Sequence, residues 1–195
     1  MKIDGYPEIT SVASTDLLLV ETSSDGAYKK VQKSNLLAGL SSGGSSLQFI
    51  QLADKRSSGI PGGNFAANVW KERTVNTIAH DDTASVTLSS NTFVLPPGSY
   101  WIDAKAYFYL SNYSQMRLYN TTDNTVLALG ITAWNTVSNG GYLNHVSGYF
   151  TVASGKNLQL QYHVSASNLQ SANTGDAAGN GNDEIYALID IFKVG

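Results

Sequence analysis

The sequence predicts an all-β sandwich, and three observations carry that expectation. Downstream of residue 46, short apolar stretches alternate with clusters of turn-forming residues at spacings of about 8–15 residues, the cadence of strands joined by tight turns. Residues 100–110 alternate with period two: Tyr100, Ile102, Ala104, Ala106, Phe108 and Leu110 form one set, and Trp101, Asp103, Lys105, Tyr107 and Tyr109 the other. No stretch in this region repeats apolar residues at the helical period.

Taken in order, the elements begin with an apolar run at 17–20, a turn at Ser23-Ser24-Asp25-Gly26 and an alternating segment at 28–31. Two short strands flanking Asp-Gly read as a β-hairpin. Ser34 then caps a short helix through Leu40, with Gly39 near its end. Residues 41–46 (SSGGSS) form a flexible linker with an r.m.s. span of about 14 Å. The segment 1–40 is too small to bury a core alone and needs a partner, whereas 47–195 is a domain. Its strands are expected at 47–52, 69–78, 84–88, 92–95, 100–110, 115–120, 126–134, 142–152, 158–165 and 185–192. Pro96-Pro97-Gly98 forces a corner between two of them.

The last strand differs from the others. One set is Ile185, Ala187, Ile189 and Ile191, the other Tyr186, Leu188, Asp190 and Phe192, so both faces are largely apolar. Such a strand is covered on both sides, and the expected cover is a second copy burying Tyr186, Leu188 and Phe192 in a cyclic homo-oligomer. The alternative is a central strand covered by its own loops.

Composition removes several function classes. Lys and Arg number 12 against 15 Asp and Glu, for a net charge of −3, and only 14% of residues are charged. Gly, Ser, Asn and Thr account for 72 of the 195 residues, so neutral hydroxyls and amides solvate the surface. Mild acidity without a dense basic cluster excludes a nucleic-acid binder that works through phosphate charge. Cys is absent, which removes disulfides, thiolate nucleophiles and cysteine-ligated zinc. No apolar run approaches the roughly 20 residues that span a bilayer, so no membrane partner is expected, and residues 1–10 lack the pattern of a secretory signal.

The motifs of nucleophile elbows, phosphate loops and zinc helices do not occur. His80, His145 and His163 are far apart and show no zinc-ligand spacing. Asp81-Asp82 sits between strands, where adjacent acids bond their own backbone. The loop 168–183 carries Asn173, Asp176, Asn180, Asn182 and Asp183, oxygen donors suited to a hard cation but not in the order of a known calcium loop. No catalytic residue, metal or cofactor is expected, and the chain is not read as an enzyme. Trp101, Tyr107 and Tyr109, with Tyr113, Tyr119 and Trp134 nearby in sequence, are candidate glycan contacts, since aromatic planes beside amides suit sugar rings; the same residues suit a subunit interface.

Two stretches carry a resemblance. Residues 15–39 resemble the start of tailed-bacteriophage fibre and appendage proteins, through Asp16, Leu18, Val20, Gly26, Lys29, Lys30, Val31 and Leu36. Residues 47–194 resemble a phage jelly-roll knob related in shape to the tumour-necrosis-factor-like trimers, through Ala53-Asp54-Lys55, Trp70 with Arg73, Asn76-Thr77, LPPGSY at 95–100, RLYNT at 117–121, SGYF at 147–150 and the closing stretch from Glu184 to Val194. The resemblance implies an antiparallel jelly-roll β-sandwich with a short N-terminal anchoring hairpin, assembled as a homotrimer in a virion. In that reading Leu17, Leu18, Leu19, Val20, Lys29, Lys30, Val31 and Leu36 dock on capsid or tail proteins, and the knob contacts host surface glycan as a short fibre. The runner-up is a capsid decoration, or cement, protein, which the short linker favours; a lectin or enzyme outside any virion is the third.

Overall fold

The protein is described from a computed structural model, which covers residues 17–21, 28–32, 47–135, 140–165 and 173–194, the first two segments by backbone alone. The chain divides into two units, Met1–Ser46 and Leu47–Gly195. In the first, β1 (Leu17–Glu21) and β2 (Tyr28–Gln32) pair antiparallel, with Leu17 opposite Gln32 and Val20 opposite Lys29. The Asp-Gly turn, the helix expected over 34–40, Leu36 and the linker lie outside the described residues.

Among its described residues the second unit holds twelve strands in two antiparallel sheets: β3 (Gln48–Arg56), β4 (Lys71–Glu72), β5 (Thr77–Asp81), β6 (Thr87–Ser89), β7 (Thr92–Val94), β8 (Gly98–Tyr109), β9 (Asn112–Asn120), β10 (Thr125–Leu129), β11 (Ala133–Asn135), β12 (Gly141–Val152), β13 (Leu158–Val164) and β14 (Glu184–Lys193). One sheet has five strands in the order β12-β8-β14-β3-β5. The other has seven, in the order β10-β9-β13-β7-β6, with β11 on β9 and β4 on β13.

The core lies between the sheets, where the period-two sets meet. Tyr100, Ile102, Ala104, Ala106 and Phe108 all face inward and are buried. Leu110, expected to continue that set, falls just past the strand at a positive φ of 53° and is half-buried. From the opposite sheet Phe93, Met116, Leu118, Leu158, Leu160 and Val164 close the core. The corner before β8 is fixed by Tyr100, whose hydroxyl donates to the Pro96 carbonyl over 2.6 Å.

Two expected strands are broken, the first because the chain changes sheets and the second at a glycine between two strands that both pair with β9. The stretch 69–78 divides into β4, paired with β13, and β5, paired with β3. Between them the Asn76 side chain bonds the backbone N–H and C=O of Lys55 over 2.9 and 2.8 Å, as a strand neighbour would. The stretch 126–134 divides at Gly130, whose N–H donates to Met116 O on one sheet while the N–H of Ile131 donates to His145 O on the other. A Cβ at Gly130 would collide with the His145 carbonyl. The strand expected at 84–88 starts only at Thr87, because the Asp81 carboxylate gathers the backbone N–H groups of Thr83, Ser85 and Val86 into a turn.

At one end of the core a buried cation ties the loops to β14. Arg73 is fully buried, with its guanidinium 5.6 and 5.9 Å from the rings of Phe65 and Phe108. Its Nη2 donates to the carbonyls of Thr174 (2.8 Å) and Tyr186 (3.0 Å), and burial pulls its pKa down to about 10. Tyr186 is the extra residue of a β-bulge between Ile185 and Ala187. Its ring is buried under its own loops against Gly62 and Gly175, and its hydroxyl donates to Ile60 O over 2.9 Å. The expectation that Tyr186 lies open beside Leu188 and Phe192 is corrected here, since the bulge takes it out of the alternation.

Two measurements follow. Gly175 has φ +138°, and a Cβ there would overlap the Tyr186 ring; Gly175→Ala is expected to cost about 3 kcal/mol, the upper part of the overpacking range. Gly179→Ala, also left-handed at φ +61° but with open space around it, should cost only about 1 kcal/mol, both read from urea unfolding. Partial burial alone would raise the Asp81 carboxyl, but the Thr83 hydroxyl and the three N–H donors outweigh it and hold the pKa below its ordinary value. A depressed folded pKa gives stability that is complete above the unfolded value of about 3.9 and lost as pH falls through the folded one. Wild type should therefore lose more unfolding free energy than Asp81→Asn between about pH 6 and pH 2.5.

Candidate assembly face

The five-stranded sheet turns one face to the core, and its other face is open in the single chain. Antiparallel register decides what stands there. Tyr149 on β12 pairs with Trp101 on β8, Trp101 with Phe192 on β14, and Phe192 with Phe49 on β3. On β5 the His80 ring stacks 5.6 Å from Phe49, and Phe49 lies 5.1 Å from Phe192. One row of rings thus crosses all five strands, with Trp101 45% and Tyr149 57% exposed.

The next row is polar: Ser147, Asp103, Asp190 and Gln51 stand opposite one another. Asp103 and Asp190 are like charges directly across a strand pair, a destabilising arrangement unless compensated. Lys105 Nζ reaches Asp103 over 3.0 Å and the His145 ring bonds its other oxygen, while Gln51 Nε2 donates to Asp190 over 2.8 Å. Partial burial would raise the Asp103 carboxyl, but its bonds to Lys105 and His145 hold it below the ordinary range. Beyond this row Leu188 stands between Lys105 and Ala53, and Leu143, 65% exposed, pairs with Tyr107. A cleft of about 420 Å³ opens at that end, lined by Lys105, Tyr107, Leu143, Glu184, Ile185 and Leu188.

The structure therefore joins two groups of residues that the sequence kept apart. Leu188 and Phe192, expected at an interface, and Trp101 and Tyr107, candidate glycan contacts, occupy one surface. Tyr107 leans along the sheet so closely over Gly141 that a Cβ there would overlap its hydroxyl. Tyr109 is half-buried, its backbone N–H and C=O both bonded to Asn173. Tyr113, Tyr119 and Trp134 belong to the seven-stranded sheet. Sequence reasoning missed Phe49, Leu143 and Tyr149, although the alternation 143, 145, 147, 149 in a strand already marked at 142–152 carried the signal.

The anchor candidates Leu17, Leu18, Leu19 and Val20 lie on β1, and Lys29, Lys30 and Val31 on β2. Of the loop 168–183, residues 173–183 are described, and their polar side chains serve separate tasks. The Asn173 amide nitrogen donates to Tyr109 O, Asp176 accepts from the N–H of Ala177, Asn180 from that of Asn182, and Asp183 pairs with Lys55 over 2.7 Å. Among the described residues no three acidic or imidazole groups gather as metal ligands.

No protein-family model matches the chain, and no curated protein does. Among solved structures it is similar to the globular domain of zebrafish complement 1qA protein, at 12% identity over 77% of this chain and 98% of that one, with a TM-score of 0.51. It is also similar to murine APRIL at pH 8.5, at 9% identity over 76% of this chain and all of that one, with a TM-score of 0.50. At these identities the likeness is one of fold: the unit Leu47–Gly195 is an antiparallel jelly-roll β-sandwich similar to those two domains.

Proposed function

We propose that this chain is a non-enzymatic structural component of a tailed-bacteriophage virion, in which Leu47–Gly195 forms a homotrimeric knob and residues 1–40 dock on capsid or tail proteins. The single observation that carries the assembly is the ring row Tyr149, Trp101, Phe192 and Phe49, open in one chain. Covering a large apolar side chain contributes about 1.5–3 kcal/mol, so closing this face around a threefold axis is strongly favourable. The compensated Asp103–Asp190 pair supports the same reading, because a dehydrated interface tolerates charge only where each carboxylate already has its donors.

The virion assignment rests on the resemblance of residues 15–39 to phage appendage starts and of residues 47–194 to a phage jelly-roll knob. With the knob presented as a short fibre, Trp101 and Tyr107 become interface residues, and contact with host glycan falls to the surface that remains outside. The alternative, a cement role, rests on the Gly/Ser stretch at 41–46 being only six residues long. Particles lacking the protein separate the two: lost adsorption with an intact shell supports the fibre, and a fragile shell with normal adsorption supports cement.

The wild-type protein is expected to sediment at three times the 20.8 kDa chain mass, and Phe192→Asp or Leu188→Asp to sediment as a folded monomer. A wild-type monomer at micromolar concentration overturns the assembly. Removing residues 1–40 should leave a folded trimer that no longer joins particles, and an unfolded product refutes the division into anchor and knob.

A further inference from the structure

The outer face of the seven-stranded sheet carries a cation held in an unusual way. Arg117 on β9 has its guanidinium carbon 4.1 Å from the ring centroid of Trp70 and 4.1 Å from that of Tyr119, so aromatic planes take both of its faces. One edge, Nε and Nη2, donates to Oε1 of Gln161 over 2.9 and 2.7 Å. Gln161 stands directly across the strand pair and is more than nine-tenths buried. Its own amide donates to Gln159 Oε1 (2.9 Å), and the Gln159 amide donates to Thr92 Oγ1 (3.0 Å). Each bond fixes the direction of the next, so the oxygen presented to Arg117 is a neutral one.

No carboxylate of the described residues bonds this guanidinium. Glu72 lies beyond Gln161 in the same row and is bonded to Lys71 over 2.9 Å. The remaining edge of Arg117, Nη1, has no bond to the described residues. Burial pulls the group's pKa below the ordinary arginine value, and Tyr119 opposes that only in part. A guanidinium whose stem and plane are already immobilised meets an anion at little further entropic cost.

The surroundings decide what kind of anion. Along β9 the outward side chains run Tyr119, Arg117, Gln115 and Tyr113, and Tyr113 stacks on Trp134 at 5.8 Å with the rings 12° apart. Tyr113 and Trp134 are 53% and 61% exposed, and four residues of strand put them about 13 Å from Arg117. Between the two aromatic stations lie Gln115 and, across the strand pair, His163. A single fixed cation does not suit a nucleic acid, which requires many phosphate contacts. Amides and ring planes in a line suit a chain of sugar rings. The five-stranded sheet, by contrast, shows Asp103 and Asp190 at its centre and repels an anion.

We propose that the β9 track binds an acidic oligosaccharide, with a sugar carboxylate on the Nη1 edge of Arg117 between Trp70 and Tyr119, and a neutral ring on Trp134 and Tyr113. This deepens the fibre reading and rests on it for the exposure of this sheet in the assembly.

The test is calorimetric titration of the full chain with tetragalacturonate and sialyllactose, using methyl-esterified tetragalacturonate, lactose and sodium acetate as controls. At least one carboxylated sugar is expected to bind, and its neutral counterpart to bind at least tenfold more weakly. Arg117→Gln and Trp70→Ala should each weaken the carboxylated sugar at least tenfold while keeping the wild-type melting behaviour and sedimentation. Should Arg117→Gln fail to fold, Trp134→Ala serves instead: it should weaken the oligosaccharide severalfold and leave galacturonic acid binding unchanged. Equal binding of the neutral sugars, an unaltered Arg117→Gln, acetate as tight as the oligosaccharide, or no binding at millimolar sugar overturns the site. Sedimentation of the same samples separates the two readings, since a sugar-binding monomer refutes only the trimer and a trimer that ignores these sugars refutes only the site.

Discussion

The antiparallel register of β12, β8, β14 and β3 is the constraint on which the rest of this molecule depends. Because those four strands pair without a slip over their central residues, every inward position meets the other sheet and every outward position joins a row. A shift of one residue in β14 would exchange Ile189 and Ile191 for Leu188, Asp190 and Phe192. It would bury a carboxylate and expose the isoleucines. The core thus fixes the register, and the register builds the ring row on the opposite face.

The same economy governs the few charges. The two sheets carry opposite electrostatic characters on their outer faces: paired acids with compensating donors on the five-stranded sheet, a stacked arginine with neutral partners on the seven-stranded one. In a chain dominated by hydroxyls and amides, hydrogen-bonded side chains orient these groups. The relay from Arg117 through Gln161 and Gln159 to Thr92 needs long amides on alternate positions of one strand, and β13 supplies them. Arg73 does comparable work inside, where its bonds to Thr174 and Tyr186 tie the loop before β14 to the bulge within it.

Much of this was legible in the linear pattern. Alternation in residues 100–110 assigned Ile102, Ala104, Ala106 and Phe108 to the core and Trp101, Asp103, Lys105 and Tyr107 to the outside. The doubly apolar final strand marked Leu188 and Phe192 as outward apolar groups. The pattern failed at 73–76, where the chain leaves one sheet for the other, and at Gly130, where it stays beside β9 while Ile131 turns its N–H to β12, because apolar alternation continues across a change that only the hydrogen-bonding partner reveals. It failed at Tyr186 for a related reason, since a bulge shifts the alternation by one and no residue type announces it.

By itself, then, the sequence determined the all-β class, the facing of each long strand, and a surface solvated by neutral groups, since period-two sterics and burial act within a strand. Tertiary structure alone decided which strands are neighbours. That choice drew Phe49, Phe192, Trp101 and Tyr149 into one row from four distant segments. It also brought Trp70, from a stretch outside any strand, across β13 to the guanidinium of Arg117 on β9. A site made of side chains from different strands exists only once pairing partners and register are set, and those are fixed by the packing of the whole sandwich.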